Sequence, residues 1–149
     1  VSEINRAIRK AERMGLKLVV RLNGTSDIAW ENMPVVFSKS LGYSFTIFEL
    51  FPTLMLYDYT KAPTRHKLPN NYHLTFSYSG AASFNPIVAK WAKKRTNQNI
   101  AVVFEKPPIE AFDGDKSDLR FLDPDNVVVA LKAKGKAKID TTGFVVRAV

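Results

Sequence analysis

Carboxylates, cations and hydroxyls recur at a few points of a mainly aliphatic sequence, and these are the points where chemistry could be done. Arg21-Leu22-Asn23 runs into Gly24-Thr25-Ser26-Asp27. Asp58-Tyr59-Thr60-Lys61, Ser77-Tyr78-Ser79-Gly80, Glu105-Lys106 and Lys132-Ala133-Lys134 each close an apolar stretch. Arg21, Lys61 and Arg120 are cations of the kind that neutralise phosphate. Asn23, Ser26 and Ser77 offer hydrogen bonds to a ribose or a phosphate. Asp58, Asp115 and Asp118 would orient those cations or hold a divalent ion. Asp58 and Asp115 are the candidates for acid–base catalysis. Arg21 and Asp58 lie inside otherwise apolar stretches, where an unpaired charge is costly. A structural ion pair between them therefore rivals a binding or catalytic role on equal terms.

Other groups carry less. The 23–27 segment could offer backbone N–H groups to a phosphate, but it is neither a P-loop nor a GxGxxG. On pattern alone a turn with a helix cap is the better reading. Asp113-Gly114-Asp115-Lys116-Ser117-Asp118 partly resembles a calcium loop, but Lys116 intrudes and the closing Glu is missing. An Asx-turn, with Arg120 and Asp123 in a local salt-bridge knot, is favoured. No metal site is assigned. His73 and Ser77 are four apart in an extended segment, about 13 Å along it, too far for a dyad. His73 reads as a hydrogen-bonded core residue, and His66 as an exposed member of a basic loop. Lys90, Lys93, Lys94 and Arg95 close a helix, where cations suit the dipole. Lys132, Lys134, Lys136 and Lys138 alternate around Gly135. If that run stays extended, its lysines share one face and could follow a nucleic-acid backbone. For either run, a solvated charged face is the usual explanation.

The elements that must position these groups follow from periodicity. Residues 2–14 read as a helix capped by Ser2, with Ile4, Ala7, Ile8, Ala11 and Met14 on one face and Gly15 ending it. Residues 16–22 read as an aliphatic strand. Ser26 or Asp27 would cap a short helix through Trp30. Residues 34–41 are ambiguous, and 44–50 read as a helix ended by Pro52. Further strands are expected at 54–60, 72–78, 100–105 and 127–132, with short ones at 119–122 and 144–146. A helix with Pro86 in its first turn spans 85–95. Alternation of helices with aliphatic strands predicts an α/β class. The expected sheet is mainly parallel and five- to six-stranded with flanking helices, either open or a partial (β/α) barrel. A complete eight-stranded barrel takes roughly 200 residues or more. In parallel α/β folds ligands bind at the carboxyl ends of the strands, where the polar groups above fall.

Composition bounds the rest. The 149 residues are 46% hydrophobic and 24% charged, which suits one globular domain, 1–149, and argues against disorder. No apolar run approaches the roughly 20 residues of a membrane span, so no membrane partner is expected. The start at Val1 lacks a Met and the regions of a signal peptide, so a chain that is trimmed, cloned or a fragment of a longer one is expected. There is no Cys and only two His, which removes disulfides, thiolate chemistry and any iron–sulfur cluster held by this chain alone. The net charge of +8 calls for an anionic partner, nucleic acid or a phosphorylated small molecule. No cofactor can be named from these data.

Several blocks, taken in order, resemble one family. They are Val20-Arg21-Leu22-Asn23-Gly24-Thr25-Ser26-Asp27-Ile28 with Trp30-Glu31, Phe48-Glu49-Leu50-Phe51-Pro52, and Tyr57-Asp58-Tyr59-Thr60-Lys61. Asn71-Tyr72-His73-Leu74-Thr75-Phe76-Ser77, Val102-Val103-Phe104, Asp113-Gly114-Asp115, Asp118-Leu119-Arg120-Phe121-Leu122-Asp123-Pro124 and Leu131-Lys132-Ala133-Lys134-Gly135 follow. From about residue 18 to 146 the chain resembles the uncharacterised phage and plasmid gene product 88 family. The resemblance implies a phage-type protein, at work in the host cytoplasm if phage-encoded. It also implies a partial (β/α) barrel reminiscent of radical S-adenosylmethionine enzymes, without their cysteine-rich segment. It favours Arg21, Asn23, Asp27, Asp58, Lys61, Ser77, Asp115, Asp118 and Arg120 as one shared site.

Three readings follow. The first is an α/β module that binds a phosphorylated or nucleotide-like ligand through Arg21, Asn23, Ser26, Asp27, Asp58, Lys61, Ser77, Asp118 and Arg120. The second is a basic nucleic-acid-binding accessory protein of phage replication that uses Lys132 to Lys138. The third is an inert fragment of a cluster-dependent enzyme, with an exposed sheet edge open to homodimerisation.

Overall fold

A computed structural model describes residues 1–65, 67–94 and 98–147. Its elements are α1 (Ser2–Arg13), β1 (Val19–Arg21), β2 (Pro34–Ser38), β3 (Tyr43–Thr46), α2 (Ile47–Leu50) and β4 (Met55–Thr60). They continue with β5 (Tyr72–Ser77), α3 (Asn85–Ala92), β6 (Ile100–Phe104), β7 (Phe112–Asp113) and β8 (Val128–Lys132). Six strands form an open sheet in the order β1-β4-β5-β6-β8-β7, and β2 and β3 form a separate hairpin. The pairs β1/β4, β5/β6, β6/β8 and β7/β8 are all parallel. The expected α/β class and strand count hold, and the sheet is open rather than closed into a barrel. Among the described residues no helix is long and apolar enough to cross a membrane.

The chain divides into two compact units, Val1–Asp58 with Lys67–His73 and Tyr59–His66 with Leu74–Val149. In the first, α1 starts from Val1 with no side-chain cap, so Ser2 is its first helical residue and not its cap. Gly15, at φ 64°, ends the helix in the left-handed region that glycine enters at least cost. The strand expected over 16–22 contracts to three residues paired with Met55 to Tyr57. It is the terminal strand of the sheet, half-buried, with Arg21 exposed, so Arg21 is not the buried cation its apolar neighbours suggested.

The helix expected over 44–50 is half strand. Tyr43, Ser44, Phe45 and Thr46 pair with β2, as an alternating aromatic and β-branched segment favours. The helix starts only at Ile47, where Thr46 and Glu49 make a capping box. Neither Ser26 nor Asp27 caps the next turn, because the single 3₁₀ turn Trp30–Asn32 begins from Ala29. The core of this unit gathers Ile47, Phe48, Phe51, Leu54, Leu56, Tyr57 and Tyr72, with the Phe48 and Tyr72 rings 4.5 Å apart.

In the second unit β6 and β8 pair over five residues, from Ile100↔Val128 to Phe104↔Lys132. Phe76, Val102, Val129 and Ala130 are buried there. Phe76, Val102 and Val129 each contribute about 1.5–3 kcal/mol, and Ala130 less. Pro86 sits in the first turn of α3, and Trp91 from α3 stacks on Phe76 at 4.9 Å. Helix α3 ends at Ala92, and Arg95 lies outside the described residues, as does His66. The short strand expected at 119–122 is instead a 3₁₀ turn, Arg120–Leu122, because Arg120 turns inward. The short strand is Phe112–Asp113, paired with Val129 and Ala130. After Lys132 the chain does not stay extended. Gly135 takes φ 51° and opens a 3₁₀ helix, Gly135–Ile139, so the four lysines do not share an extended face. Of the last expected strand, a single parallel bridge of Val146 to Phe104 forms.

Candidate functional site

Within each unit, residues singled out by sequence gather into local clusters. In the first unit Asn23 and Asp58 are both buried, at 2% and 0% exposure. Asp58 Oδ1 accepts the Asn23 backbone N–H at 2.7 Å. Asp58 Oδ2 accepts from Asn23 Nδ2 at 3.2 Å and from the Tyr72 hydroxyl at 2.8 Å. Asn23 Oδ1 in turn accepts from Ser26 Oγ, the Ile28 N–H and Trp30 Nε1. Asn23 Nδ2 also donates to the Ile28 carbonyl. Three charge-assisted bonds on one buried carboxylate are a strong local anchor. They fix the 23–30 loop beyond β1. Arg21 Nε donates to the Asn23 carbonyl from an exposed position, and Asp27 is exposed.

A second cluster closes the 113–123 turn of the second unit. Asp113 Oδ1 accepts the Asp115 N–H, the expected Asx-turn. Among the described residues the buried cation is Arg120, 1% exposed. Its Nη2 donates to the Gly114 and Ser117 carbonyls, and its Nε lies 3.3 Å from Asp123 Oδ2. Burial pushes the Asp123 carboxyl up from its ordinary value, against the opposing pull of Arg120. Gly114 makes room for the guanidinium, since a Cβ there would come within 2.7 Å of Arg120 Nη1 and 2.5 Å of Val129 Cγ1. Asp118 is exposed, and its carbonyl accepts the Arg120 N–H. Asp115 faces away from this knot. Its carboxylate accepts from Lys134 Nζ at 2.7 Å and from the Lys132 N–H at 2.9 Å. The Lys134 bond first, then the Lys132 N–H, holds Asp115 below its ordinary pKa, and Lys134 is raised in return.

The carboxyl ends of the strands supply the remaining groups of the second unit. Lys61, just past β4, donates to Ser77 Oγ at 3.2 Å. Its Nζ also lies 5.1 Å from the Phe84 ring centroid and 5.0 Å from that of Phe144, favourable places for a cation. Beyond the ends of β6 and β8 is a cleft of about 240 Å³, lined by Glu105, Lys132, Ala133, Lys138, Val145 and Arg147. Arg147 Nε pairs with Glu105 Oε1 at 3.4 Å. Among the described residues no carboxylate lies within 4 Å of the Lys132 or Lys138 ammonium. Asp140 anchors the turn that leads to Val145, which lines the cleft. Its Oδ1 accepts the Thr142 N–H and hydroxyl, and its Oδ2 accepts the Val145 N–H. The Thr142 hydroxyl first, then the Val145 N–H, holds Asp140 below its ordinary value.

Sequence reasoning named Lys132 and Lys138 for a different partner and missed Arg147 altogether. Nothing local marks Arg147. It joins the cleft because the Glu105 and Val146 N–H groups exchange bonds with the Val146 and Val103 carbonyls. Trp30 and Tyr72 were also missed as polar partners, whereas the expected Arg120–Asp123 pairing is present. Only the cost of leaving a buried polar group unpaired could have pointed to Trp30 and Tyr72.

An open, mainly parallel α/β sheet with polar groups at its strand ends is the class of protein that fold and site define. Within that class the chain belongs to the Gene product 88 family, whose model matches residues 1–148. No curated protein and no solved structure gives a match.

Proposed function

We propose that this chain binds a phosphorylated or nucleotide-like ligand at the carboxyl ends of β6 and β8. The observation that carries the reading is the pair Lys132 and Lys138, which flank one cleft with Arg147 and have no carboxylate within 4 Å among the described residues. Two ammonium groups on a concave strand-end surface favour a phosphate over a neutral solute. At about 240 Å³ the cleft is smaller than the roughly 300–1,000 Å³ of a drug-sized site, so it suits the phosphoryl end of a ligand. Lys61 and Ser77, past β4 and β5 in the same unit, add donors at that end of their strands. Arg120, Asn23 and Asp58 act in this reading as builders of turns and loops.

Calorimetric titration with adenosine 5′-monophosphate tests it. Lys132→Ala and Lys138→Ala should each weaken binding about tenfold, the worth of one charge-assisted hydrogen bond. Unchanged affinity in both variants would refute the site. The nucleic-acid reading loses its shared lysine face, because the run bends at Gly135 and Lys134 is tied to Asp115. Salt-sensitive DNA binding that depended on Lys136 would favour that reading instead.

A further inference from the structure

The cleft at the ends of β6 and β8 has a charge pattern that selects among phosphates. Glu105 and Arg147 both line it and pair with each other, so together they are neutral. Lys134, next in the run, is occupied by Asp115. The cleft is therefore lined by two lysines, Lys132 and Lys138, with no carboxylate within 4 Å of either ammonium among the described residues, beside the Glu105–Arg147 pair. We propose that the site recognises a terminal phosphomonoester dianion on a hydroxylated skeleton, such as a sugar phosphate or a nucleoside 5′-monophosphate. It would discriminate against phosphodiesters and polyphosphate chains. This inference rests on the phosphate reading of the same cleft.

The charges match. A phosphomonoester carries about −1.5 to −2 at neutral pH, which two ammonium groups balance. A phosphodiester carries one charge per phosphate, as a nucleic-acid backbone does, and leaves one lysine without a counter-charge. A longer polyphosphate carries more negative charge than two ammonium groups balance, and the Glu105–Arg147 pair adds no net positive charge to meet it. Glu105 has a second use. Its carboxylate lines the same cleft and can accept a hydrogen bond from a hydroxyl of the ligand's skeleton, a bond that inorganic phosphate does not offer. The volume of about 240 Å³ leaves room for one phosphoryl group and its neighbouring atoms, not for a chain of them. Nucleic acid would have to enter by a free end bearing a terminal phosphate.

The test compares four probes by calorimetry on the full chain: adenosine 5′-monophosphate, ribose 5-phosphate, adenosine 3′,5′-cyclic monophosphate and adenosine 5′-triphosphate. The two monoesters should bind at least tenfold tighter than the cyclic diester and the triphosphate. Glu105→Gln should narrow the gap between monophosphate and triphosphate at least fivefold, and Glu105→Ala provides a second variant if the first is poorly folded. A diester that binds as tightly as the monoesters would overturn the inference, as would a gap that neither Glu105 variant moves. In both cases the phosphate reading would survive. Binding of none of the four would instead remove the phosphate reading, and this inference with it.

Discussion

Removing the Asp58 carboxylate should unlatch the loop that follows β1, and the size of the effect can be worked from its bonds. Asp58 is fully buried and accepts from the Asn23 N–H, Asn23 Nδ2 and the Tyr72 hydroxyl. Asp58→Ala leaves those three donors buried, each costing about 1–3 kcal/mol when unpaired. Relaxation and water entry recover part of this, so a net loss of about 3–5 kcal/mol is expected. Tyr72→Phe removes one donor to a charged acceptor and should cost about 1.5–3 kcal/mol. On the Asp58→Ala background the same change should cost less than 1 kcal/mol, because the shared acceptor is already gone. Urea denaturation followed by tryptophan fluorescence is the assay. The chain has two tryptophans, and Trp30 reports this cluster directly because its Nε1 donates to Asn23 Oδ1. Trp91→Phe would isolate the Trp30 signal. A loss under 1 kcal/mol for Asp58→Ala, with Trp30 emission unmoved, would refute the reasoning. It would also return Asp58 to the acid–base candidates.

Other expectations follow from the same contacts. Gly114→Ala should destabilise by about 1–3 kcal/mol through overpacking against Val129, Leu131 and Arg120, read as a lowered thermal midpoint. Arg120→Met should cost about 3–5 kcal/mol by stranding the buried Asp123 carboxylate, and adding Asp123→Asn should recover part of it. Asp115, Asp140 and Glu49 are held below their ordinary pKa, Glu49 chiefly by the Thr46 N–H. Their contribution is full above the ordinary carboxylate value near 4 and is lost as pH falls through the lower folded values. Asp123, raised by burial, acts with the opposite sign. Asp115, Asp140 and Glu49 together should outweigh Asp123, so the thermal midpoint should fall as pH drops from 4 to 2, and a midpoint that rose over that range would contradict the assignments.

Much of the fold was legible because its signals are local. Aliphatic runs such as 54–60, 100–105 and 127–132 have no strong rival to a buried parallel strand, and Pro86 and Gly15 mark helix ends by backbone chemistry alone. The failures share a different cause. Residues 44–50 carry both a strand signal and a capping box, and only pairing with β2 decides where one yields to the other. The 119–122 segment looked like a strand because Leu119, Phe121 and Leu122 are apolar. The burial of Arg120 against Gly114 and Asp123 overrides that pattern. Lys132 to Lys138 alternate in sequence, yet Gly135 at positive φ bends them apart. For the candidate site, the carboxyl-end rule located the useful lysines without giving their partners. Whether Lys132 is free or Lys134 is tied depends on Asp115, seventeen residues before Lys132. No spacing rule reaches that far.

In the proposed site, Lys132 and Lys138 hold a phosphate in the cleft past β6 and β8, beside the Glu105–Arg147 pair. Two-dimensional amide NMR of the full chain, titrated with ribose 5-phosphate, tests it most directly. Saturable shifts concentrated at Glu105, Lys132, Ala133, Lys138, Val145 and Arg147, and lost in Lys132→Ala, are the predicted result. Shifts that cluster elsewhere, or that grow linearly without saturating and persist in Lys132→Ala, would contradict the account.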